Sequence, residues 1–275
     1  MKRLAVLGHP VSHSRSPAMQ SAALEELGLA GEWSYEAIDL PPERFEQGVR
    51  ALPGEGFVGA NVTIPHKQAA LALAGEASAA ATEIGAVNTL SFEAGEIRAE
   101  NSDAPGLLAA LPSSPAGKRA LVLGAGGSAR AAVWALAGQG ATVDVWNRTA
   151  ERADRLVRDL AGTDAEGRIA PVAAEQIGTV AYELIANCTA VGLPGAGEDP
   201  FEELPIDPGR LGAGLVLVDL VYGSEETALV RAAREGGTVV VDGLEVLVRQ
   251  GAESLRIWTG MEPPIEVMRA AARAG

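Results

Sequence analysis

Short apolar segments rich in Val, Leu and Ile alternate along the chain with Ala-rich segments of helical period. The apolar segments predict strands, at Leu4–Leu7, Ser34–Asp39, Phe57–Val62, Ala120–Leu123, Thr142–Trp146, Leu184–Ala186, Leu215–Leu220 and Thr238–Val241. The helical period predicts helices at Pro17–Leu27, Pro42–Ala51, Gln68–Leu73, Ser128–Ala137, Glu151–Leu160 and Thr227–Arg234. This alternation indicates an α/β fold, with parallel sheets covered by helices on both faces.

The length of 275 residues predicts two domains. A nucleotide-binding unit is expected from Ala120 to about Val241, and the domain boundary is placed just before it. The predicted domains are residues 1–102 and 103–242. Residues 243–275 are predicted as helices without a strand partner, which we expect to pack back onto the first domain.

The charge balance narrows the range of partners. With 36 acidic and 22 basic residues the formal net charge is −14, which argues against nucleic acid or an anionic membrane as a partner. Cys188, the single cysteine, fits a reducing compartment. No apolar run is long enough for a signal peptide or a membrane span, and no Cys/His cluster has metal-ligand spacing. We therefore expect a cytoplasmic protein without a metal.

A glycine-rich turn follows the strand at Ala120–Leu123 and opens an Ala-rich helix. It matches the G-x-G-x-x-A form of the dinucleotide-binding motif in the required strand–turn–helix context. Gly124 allows the tight turn, Gly126 lets the backbone approach a pyrophosphate, and Ala129 permits close helix packing. The candidate cofactor-binding residues of this turn are Gly124, Ala125, Gly126, Gly127, Ser128 and Ala129.

The end of the next strand indicates which dinucleotide binds. An NAD site usually has an acidic residue there, whereas this chain has Asn147, Arg148 and Thr149, followed by Arg152. Arginine binds phosphate oxygens in a planar fork, and a cation at a helix N-terminus is unfavourable without an anion. The pattern favours the 2′-phosphate of NADP over NAD. Asp144 is the rival acidic residue, but it lies in mid-strand.

Further polar motifs lie before the nucleotide-binding unit. His13-Ser14-Arg15-Ser16-Pro17 places two hydroxyls at the start of a helix, which suits a carboxylate, although the motif taken alone favours Ser16 as a simple N-cap. The other motifs are Asn61–Lys67 (NVTIPHK), Gly85–Thr89 (GAVNT) and Asn101-Ser102-Asp103.

Taken in order, these motifs closely resemble those of the shikimate dehydrogenase family from end to end. The resemblance continues with Asn187-Cys188-Thr189, Asp219-Leu220-Val221-Tyr222, and Gly243 with Gln250. It implies an N-terminal α/β substrate domain, a Rossmann-type parallel-sheet domain that binds NADP, and a cleft between them. It also implies reversible NADPH-dependent reduction of 3-dehydroshikimate to shikimate in aromatic amino-acid biosynthesis.

The resemblance also implies roles for individual residues. Ser14, Ser16 and Tyr222 would hold the substrate carboxylate, and Thr63, Asn88, Asp103 and Gln250 would contact ring hydroxyls. The residues that would line the cofactor, besides those of the glycine-rich turn, are Asn147, Arg148, Thr149, Arg152, Leu220 and Gly243.

Ketone reduction needs a proton donor beside the hydride acceptor, and Lys67 with Asp103 is the candidate catalytic pair. Lys67 can stabilise the developing alkoxide and donate the proton, while Asp103 orients the ammonium group. Because the predicted boundary separates the two residues, we expect them to reach working distance when the domains close.

The chain departs from the family pattern at four positions, Ala104, Ala190, Ala228 and Leu244, and none of these changes removes a group that takes part in the chemistry. Two alternatives stay open: an NAD-dependent quinate/shikimate dehydrogenase, and an inactive NADP-binding regulator on the same fold. The sequence leaves the choice between monomer and homodimer open.

Overall fold

A computed structural model describes residues 1–163, 167–193, 199–223 and 225–274. The chain forms two compact units. The first unit is Met1–Gly106 together with the segment from Leu247 onward, and the second is Leu107–Val246. Both boundaries come later in the chain than residues 102 and 242, so Asp103 belongs to the first unit rather than the second. Gly275, the end of the predicted C-terminal segment, lies outside the described residues.

The described strands are β1 (Lys2–Gly8), β2 (Trp33–Asp39), β3 (Phe57–Val62), β4 (Glu76–Ala77), β5 (Thr89–Glu93), β6 (Glu96–Glu100), β7 (Arg119–Leu123), β8 (Thr142–Trp146), β9 (Ile169–Pro171), β10 (Leu184–Asn187), β11 (Val216–Asp219) and β12 (Val239–Val241). The described α-helices are α1 (Ser16–Glu26), α2 (Phe45–Ala51), α3 (Lys67–Leu73), α4 (Ala79–Ile84), α5 (Asp103–Ala110), α6 (Gly127–Gly138), α7 (Ala150–Leu160), α8 (Ala174–Ile177), α9 (Pro200–Glu203), α10 (Ala228–Glu235), α11 (Gly243–Thr259) and α12 (Ile265–Ala274). Short 3₁₀ turns occur at Pro42–Arg44, Leu52–Glu55 and Pro208–Arg210.

The sheet of the first unit is mixed, with the strand order β2-β1-β3-β5-β6-β4. Strand β1 pairs in parallel with β2 and β3, but β5 runs antiparallel to both β3 and β6. The predicted strands β1, β2 and β3 are therefore parallel as expected, and the prediction of a parallel sheet fails only at β5. The hairpin β5–β6 turns through Ala94 and Gly95, which have φ angles of 51° and 87°. Such turns usually carry Asn or Gly at the first position, so a turn that begins with Ala94 is not recognisable as a hairpin from the sequence.

Apolar side chains from both parts of the sequence complete the first unit. Leu7, Ala60 and Leu90 of the sheet form a core with Phe45 and Val49 of α2. On the C-terminal side, α12 packs against α1, which also contacts β2. The C-terminal helices are thus part of the first unit, although they follow the second unit in the sequence.

Helix α11 approaches the sheet of the first unit at a glycine. The indole Nε1 of Trp258 donates a hydrogen bond to the Leu90 carbonyl at 3.0 Å. A Cβ atom added at Gly59 would lie only 2.3 Å from Nε1 of Trp258 and 2.8 Å from the Leu90 oxygen. Gly59 therefore provides the space in which this contact forms.

The sheet of the second unit is entirely parallel, with the strand order β9-β8-β7-β10-β11-β12. Numbered from β7, this is the order 3-2-1-4-5-6 of a Rossmann fold. Successive residues of β7 face two different cores. Ala120 and Val122 belong to one core, and Leu121 and Leu123 belong to the other. The α/β class and the Rossmann-type domain are confirmed.

The contact at Gly59 gives a test of how the C-terminal segment is held. We expect Gly59→Ala to lower the free energy of unfolding by about 1–3 kcal/mol, since the methyl group overpacks against Trp258 and backbone. Gly54→Ala is the matched control, because an added Cβ there meets nothing within 4 Å. Urea unfolding measures both, and equal midpoints would contradict this explanation.

Candidate active site

The candidate catalytic residues of the first unit lie at one edge of its mixed sheet. Lys67 follows β3, and Asn88 immediately precedes β5. Because β5 runs antiparallel to β3, its beginning lies beside the end of β3, with Asn61 opposite Thr89. Strand β6 runs antiparallel to β5 and ends at the same edge, so Asp103 follows there as well. The reversed strand thus brings three separate motifs together.

Lys67 and Asp103 form an ion pair within the first unit. Lys67 Nζ lies 2.5 Å from Asp103 Oδ2, and the two side chains are only 12% and 13% exposed. Lys67 begins α3, where the helix dipole disfavours a cation, whereas Asp103 begins α5, where the dipole favours an anion. Asp103 therefore supplies the counter-charge that Lys67 needs. The expectation that the pair forms only on domain closure is wrong, since both residues belong to one unit.

Asn88 connects this pair to other polar groups. Its Nδ2 lies 2.8 Å from Asp103 Oδ1, 2.9 Å from Ser102 Oγ and 3.0 Å from Gln250 Oε1. Its Oδ1 accepts a hydrogen bond from the Ser102 backbone N–H at 2.7 Å. A side-chain amide has two hydrogens, so three acceptors share them. The site therefore has acceptor capacity left for a hydroxyl donor.

Beneath these residues lies a buried network of hydroxyl and amide groups that sequence reasoning missed. Ser254 Oγ lies 2.8 Å from Thr89 Oγ1 and 3.0 Å from Ser102 Oγ, and accepts from Asn61 Nδ2 at 2.8 Å. The Tyr35 hydroxyl donates to Asn61 Oδ1 at 2.8 Å. The signal for Ser254 was its position four residues after Gln250, which places both on one face of α11.

The residues proposed to hold a carboxylate and a ring hydroxyl follow neighbouring parallel strands. Ser14 and Ser16 come after β1, and Thr63 comes directly after β3, whose Val62 pairs with Leu7. Ser16 is the first residue of α1 and is buried, and its backbone N–H donates to Ser14 Oγ at 3.3 Å. The N-cap is Arg15, whose side chain makes no capping bond, so Ser16 is not the N-cap.

In the second unit, the glycine-rich turn has the space that a pyrophosphate needs. Gly124 has a φ of +110°, and a Cβ there would lie 3.0 Å from the Cys188 carbonyl oxygen. At Gly126 an added Cβ would meet nothing within 4 Å. Gly126 is also the N-cap of α6, so no capping side chain stands between the start of the helix and an anion. Ala125, Gly127, Ser128 and Ala129 complete the turn and the first turn of the helix, and these residues fit a dinucleotide.

Strand β8 ends in the residues expected to recognise the 2′-position. Asn147 Nδ2 donates to the Thr149 carbonyl at 2.9 Å, and Arg148, Thr149 and Arg152 are exposed. Arg148 Nη1 lies 3.3 Å from Glu203 Oε2, an ion pair that the sequence did not reveal.

The rival acidic residue Asp144 is engaged elsewhere. It is buried, and its Oδ2 accepts hydrogen bonds from Arg119 at 2.9 Å and from the Tyr182 hydroxyl at 2.8 Å. Burial and this contact with a carboxylate raise the pKa of Tyr182 well above its usual value. These contacts assign Asp144 a structural role in the second unit.

The remaining candidates of the second unit follow β11 and β12. Asp219 is buried and accepts from Asn187 at 2.9 Å, from the Val221 N–H at 3.2 Å and from the Thr227 hydroxyl at 2.7 Å. Burial raises the pKa of its carboxyl group, and the three donors oppose that rise. These bonds fix the loop that carries Leu220 and the half-buried Tyr222.

Gly243 contributes to the same region by close packing. An added Cβ at Gly243, the first residue of α11, would lie 2.7 Å from the Leu220 carbonyl oxygen and 2.8 Å from that of Val221. Only glycine lets the start of α11 approach this loop.

Within the described residues, no group of His, Cys, Asp and Glu side chains is arranged to hold a metal ion. Over the same part of the chain, every helix is too short or too polar to cross a membrane.

Three protein-family models match segments of this chain. The shikimate dehydrogenase substrate-binding domain matches residues 6–90, the shikimate/quinate 5-dehydrogenase domain residues 108–205, and the shikimate 5′-dehydrogenase C-terminal domain residues 243–273. An NADP⁺-dependent shikimate dehydrogenase from Methanopyrus kandleri is 41% identical over 275 residues, covering 97% of this chain and 93% of the relative.

The chain belongs to the shikimate dehydrogenase family.

Solved structures of the family share the fold. Shikimate 5-dehydrogenase from Thermus thermophilus, in complex with NADP(H) and shikimate, is 42% identical with a TM-score of 0.83, over 100% of this chain and 99% of that one. Shikimate dehydrogenase from Aquifex aeolicus is 35% identical with a TM-score of 0.87, over 99% and 98% of the two chains. The similarity covers both units.

His66, next to Lys67, packs beneath the edge of the sheet. Its ring stacks on Phe45 with centroids 4.0 Å apart, and Nε2 lies 2.6 Å from the Leu40 carbonyl oxygen. A carbonyl accepts only, so Nε2 carries the hydrogen. Burial lowers the pKa of His66 below its ordinary value of 6.5, although the bond to Leu40 opposes this.

This lowered pKa predicts a pH-dependent contribution to stability. Below about pH 6.5 this histidine takes up a proton in the unfolded chain, whereas in the folded protein it stays neutral to a lower pH. The contribution of neutral His66 to the free energy of unfolding is therefore fully present above that pH and is lost as pH falls. We expect His66→Gln to lose less stability than the wild type between about pH 7.5 and 5.5, measured as the shift in urea midpoint. The exposed His13→Gln variant serves as the control. Equal shifts in wild type and His66→Gln would contradict the assignment.

Proposed function

We propose that this chain catalyses the reversible, NADPH-dependent reduction of 3-dehydroshikimate to shikimate. The observation that carries the proposal is the partly buried ion pair of Lys67 with Asp103, joined through Asn88 to Gln250. A partly buried ammonium group beside hydroxyl-binding amides suits a ketone that is flanked by hydroxyl groups. The relatives named as NADP⁺-dependent shikimate dehydrogenases support the same reaction.

Lys67 is the proposed acid. When bound, NADPH supplies hydride to the carbonyl carbon, and negative charge grows on the carbonyl oxygen. Lys67 Nζ stabilises that oxygen and delivers the proton, and in the oxidation direction it takes the proton back. Asp103 holds Nζ in place and accepts a hydrogen bond from the neighbouring hydroxyl.

Other polar groups of the first unit fix the orientation of the substrate. The two hydrogens of the Asn88 amide face three acceptors, one of which is Gln250 Oε1. A ring hydroxyl can therefore donate to the acceptor that the amide leaves unused. We assign Thr63 to a second hydroxyl. The hydroxyls of Ser14 and Ser16, at the start of α1, are assigned to the carboxylate, with Tyr222 of the second unit as an additional partner.

The second unit provides the groups for NADP. The glycine-rich turn presents backbone N–H groups to the pyrophosphate, and Arg148 and Arg152 are assigned to the 2′-phosphate. Asn147, Thr149, Leu220 and Gly243 are assigned to the lining of the same cofactor site. The engagement of Asp144 with Arg119 and Tyr182 supports NADP, because it removes the acidic group that an NAD site would use.

The cytoplasm is the compartment we propose, since Cys188 is a thiol rather than half of a disulfide. The oligomeric state, monomer or homodimer, stays a prediction.

Two alternatives are separated from the proposal by one assay. The family description includes quinate, and an inactive regulator would have no turnover. Absorbance of the reduced nicotinamide is followed with shikimate or quinate as the substrate and NADP⁺ or NAD⁺ as the oxidant. We expect the highest kcat/KM for shikimate with NADP⁺. A rate that depends on quinate and NAD⁺ would establish the first alternative, and no rate with any pair the second.

The role of Lys67 is tested by removing its ammonium group. Lys67→Ala is expected to lower kcat by about 10²–10⁴-fold, the range of a lost general acid, with the Kd for NADPH unchanged within about twofold. Lys67→Gln keeps a donor towards Asp103 and distinguishes loss of chemistry from loss of folding. Lys118→Ala, in the second unit, is the control. Wild-type turnover in Lys67→Gln would remove Lys67 from the proton transfer.

The role of Arg148 is tested by comparing two reduced cofactors. Arg148→Ala should raise the KM for NADPH by about 10-fold or more, the cost of losing a charge-assisted bond to phosphate, and leave that for NADH nearly unchanged. Arg158→Ala is the matched control, because Arg158 lies in the last turn of α7, whereas Arg152 lies in its first turn. Equal effects of Arg148→Ala on both cofactors would rule out a 2′-phosphate contact.

A further inference from the structure

The ion pair between Arg148 and Glu203 involves a residue proposed to bind the cofactor. Arg148 follows β8, and Glu203 is the last residue of α9. The two residues are 55 positions apart in the chain. Both lie in the second unit. The pair therefore reflects the fold rather than local sequence.

Glu203 is held in place by packing on either side of it. Leu204, the next residue, is 3% exposed within the core of the second unit, and Phe201 packs against the same core. The side chain of Asp199 caps α9 by accepting from the Phe201 N–H at 2.8 Å. Glu203 is thus carried by an anchored turn, with its side chain only 37% exposed.

The bond itself is weak and easily replaced. A single pair of atoms is joined, Arg148 Nη1 and Glu203 Oε2, at 3.3 Å, and the Arg148 side chain is 82% exposed. Charge-assisted bonds are shorter, at about 2.7–2.9 Å, and exposed pairs contribute little to stability. A phosphate offers three acceptor oxygens and up to two charges to the same guanidinium. It therefore displaces a single carboxylate oxygen.

We propose that Glu203 competes with the 2′-phosphate of the cofactor for Arg148 and so sets how strongly the enzyme prefers NADP over NAD. This inference rests on the proposed function, in which Arg148 binds that phosphate. A dinucleotide with a 2′-hydroxyl leaves the Arg148–Glu203 pair intact, whereas one with a 2′-phosphate must break it. Glu203 thus lowers affinity for the phosphorylated cofactor alone.

The test measures binding of 2′,5′-ADP and 5′-AMP to the full-length enzyme by titration calorimetry, without turnover. Glu203→Gln is expected to lower the Kd for 2′,5′-ADP by about threefold, the value of an exposed ion pair, and to leave that for 5′-AMP unchanged. The gain should shrink as salt is raised to about 1 M, since the competition is between exposed charges. Glu202→Gln makes the same charge change one residue away and is the matched control.

A double-mutant cycle with Arg148→Ala separates competition from general repulsion. In the Arg148→Ala background we expect Glu203→Gln to have no further effect on the Kd for 2′,5′-ADP. The inference is overturned if the Glu203→Gln gain persists in that background, or if Glu202→Gln gives the same gain. If Arg148→Ala itself leaves 2′,5′-ADP binding unchanged, the proposed phosphate site fails as well. If Arg148→Ala weakens binding and Glu203→Gln changes nothing, only the role of Glu203 fails.

Discussion

The partial burial of the Lys67–Asp103 ion pair is the constraint on which the rest of the first unit depends. Desolvating two charges is costly unless geometry and further hydrogen bonds compensate. The unit meets this requirement by setting Asp103 at a helix N-terminus and giving its second oxygen to Asn88. That arrangement needs the reversed strand β5: if β5 ran parallel to β3, Asn88 would lie at the opposite edge of the sheet. The proposed catalytic pair therefore depends on the mixed sheet.

The second unit meets a different requirement, the approach of a dinucleotide to backbone. At Gly124 and Gly243 a side chain would collide with neighbouring carbonyl groups. At Gly126 a side chain would occupy the open space that the dinucleotide needs. The groups suited to proton transfer belong to the first unit and those suited to the dinucleotide to the second, so each reaction component has its own scaffold. The residue proposed to recognise the 2′-position is held less rigidly, since Arg148 is exposed and its partner Glu203 comes from a distant turn.

Sequence reasoning predicted the elements with strong local signals. Strands β3 and β8 have their predicted bounds, and β7 with its glycine-rich turn led to the Rossmann topology. The β5–β6 hairpin was missed because Ala94 occupies a left-handed turn position that rarely carries alanine. Ordered motifs identified Lys67, Asn88, Asp103 and Gln250, but their hydrogen-bond partners arise from long-range contacts that no local pattern encodes. Ser254 and Glu203 were missed because they reach the other residues only through such contacts. The predicted domain boundary separated Lys67 from Asp103 because their contact is also long-range.

The contact of Trp258 with β3 at Gly59 has a consequence for the order in which the protein acquires its structure. Residues 107–246 form a continuous segment, so the second unit can fold on the ribosome while the chain is still growing. The first unit is interrupted: its sheet is synthesised early, but α11 and α12 emerge last. Until then Leu90 and the apolar face of α1 lack their C-terminal partners. The first unit is therefore completed only after the whole chain has been synthesised, and a protein truncated before α11 would lack these contacts permanently.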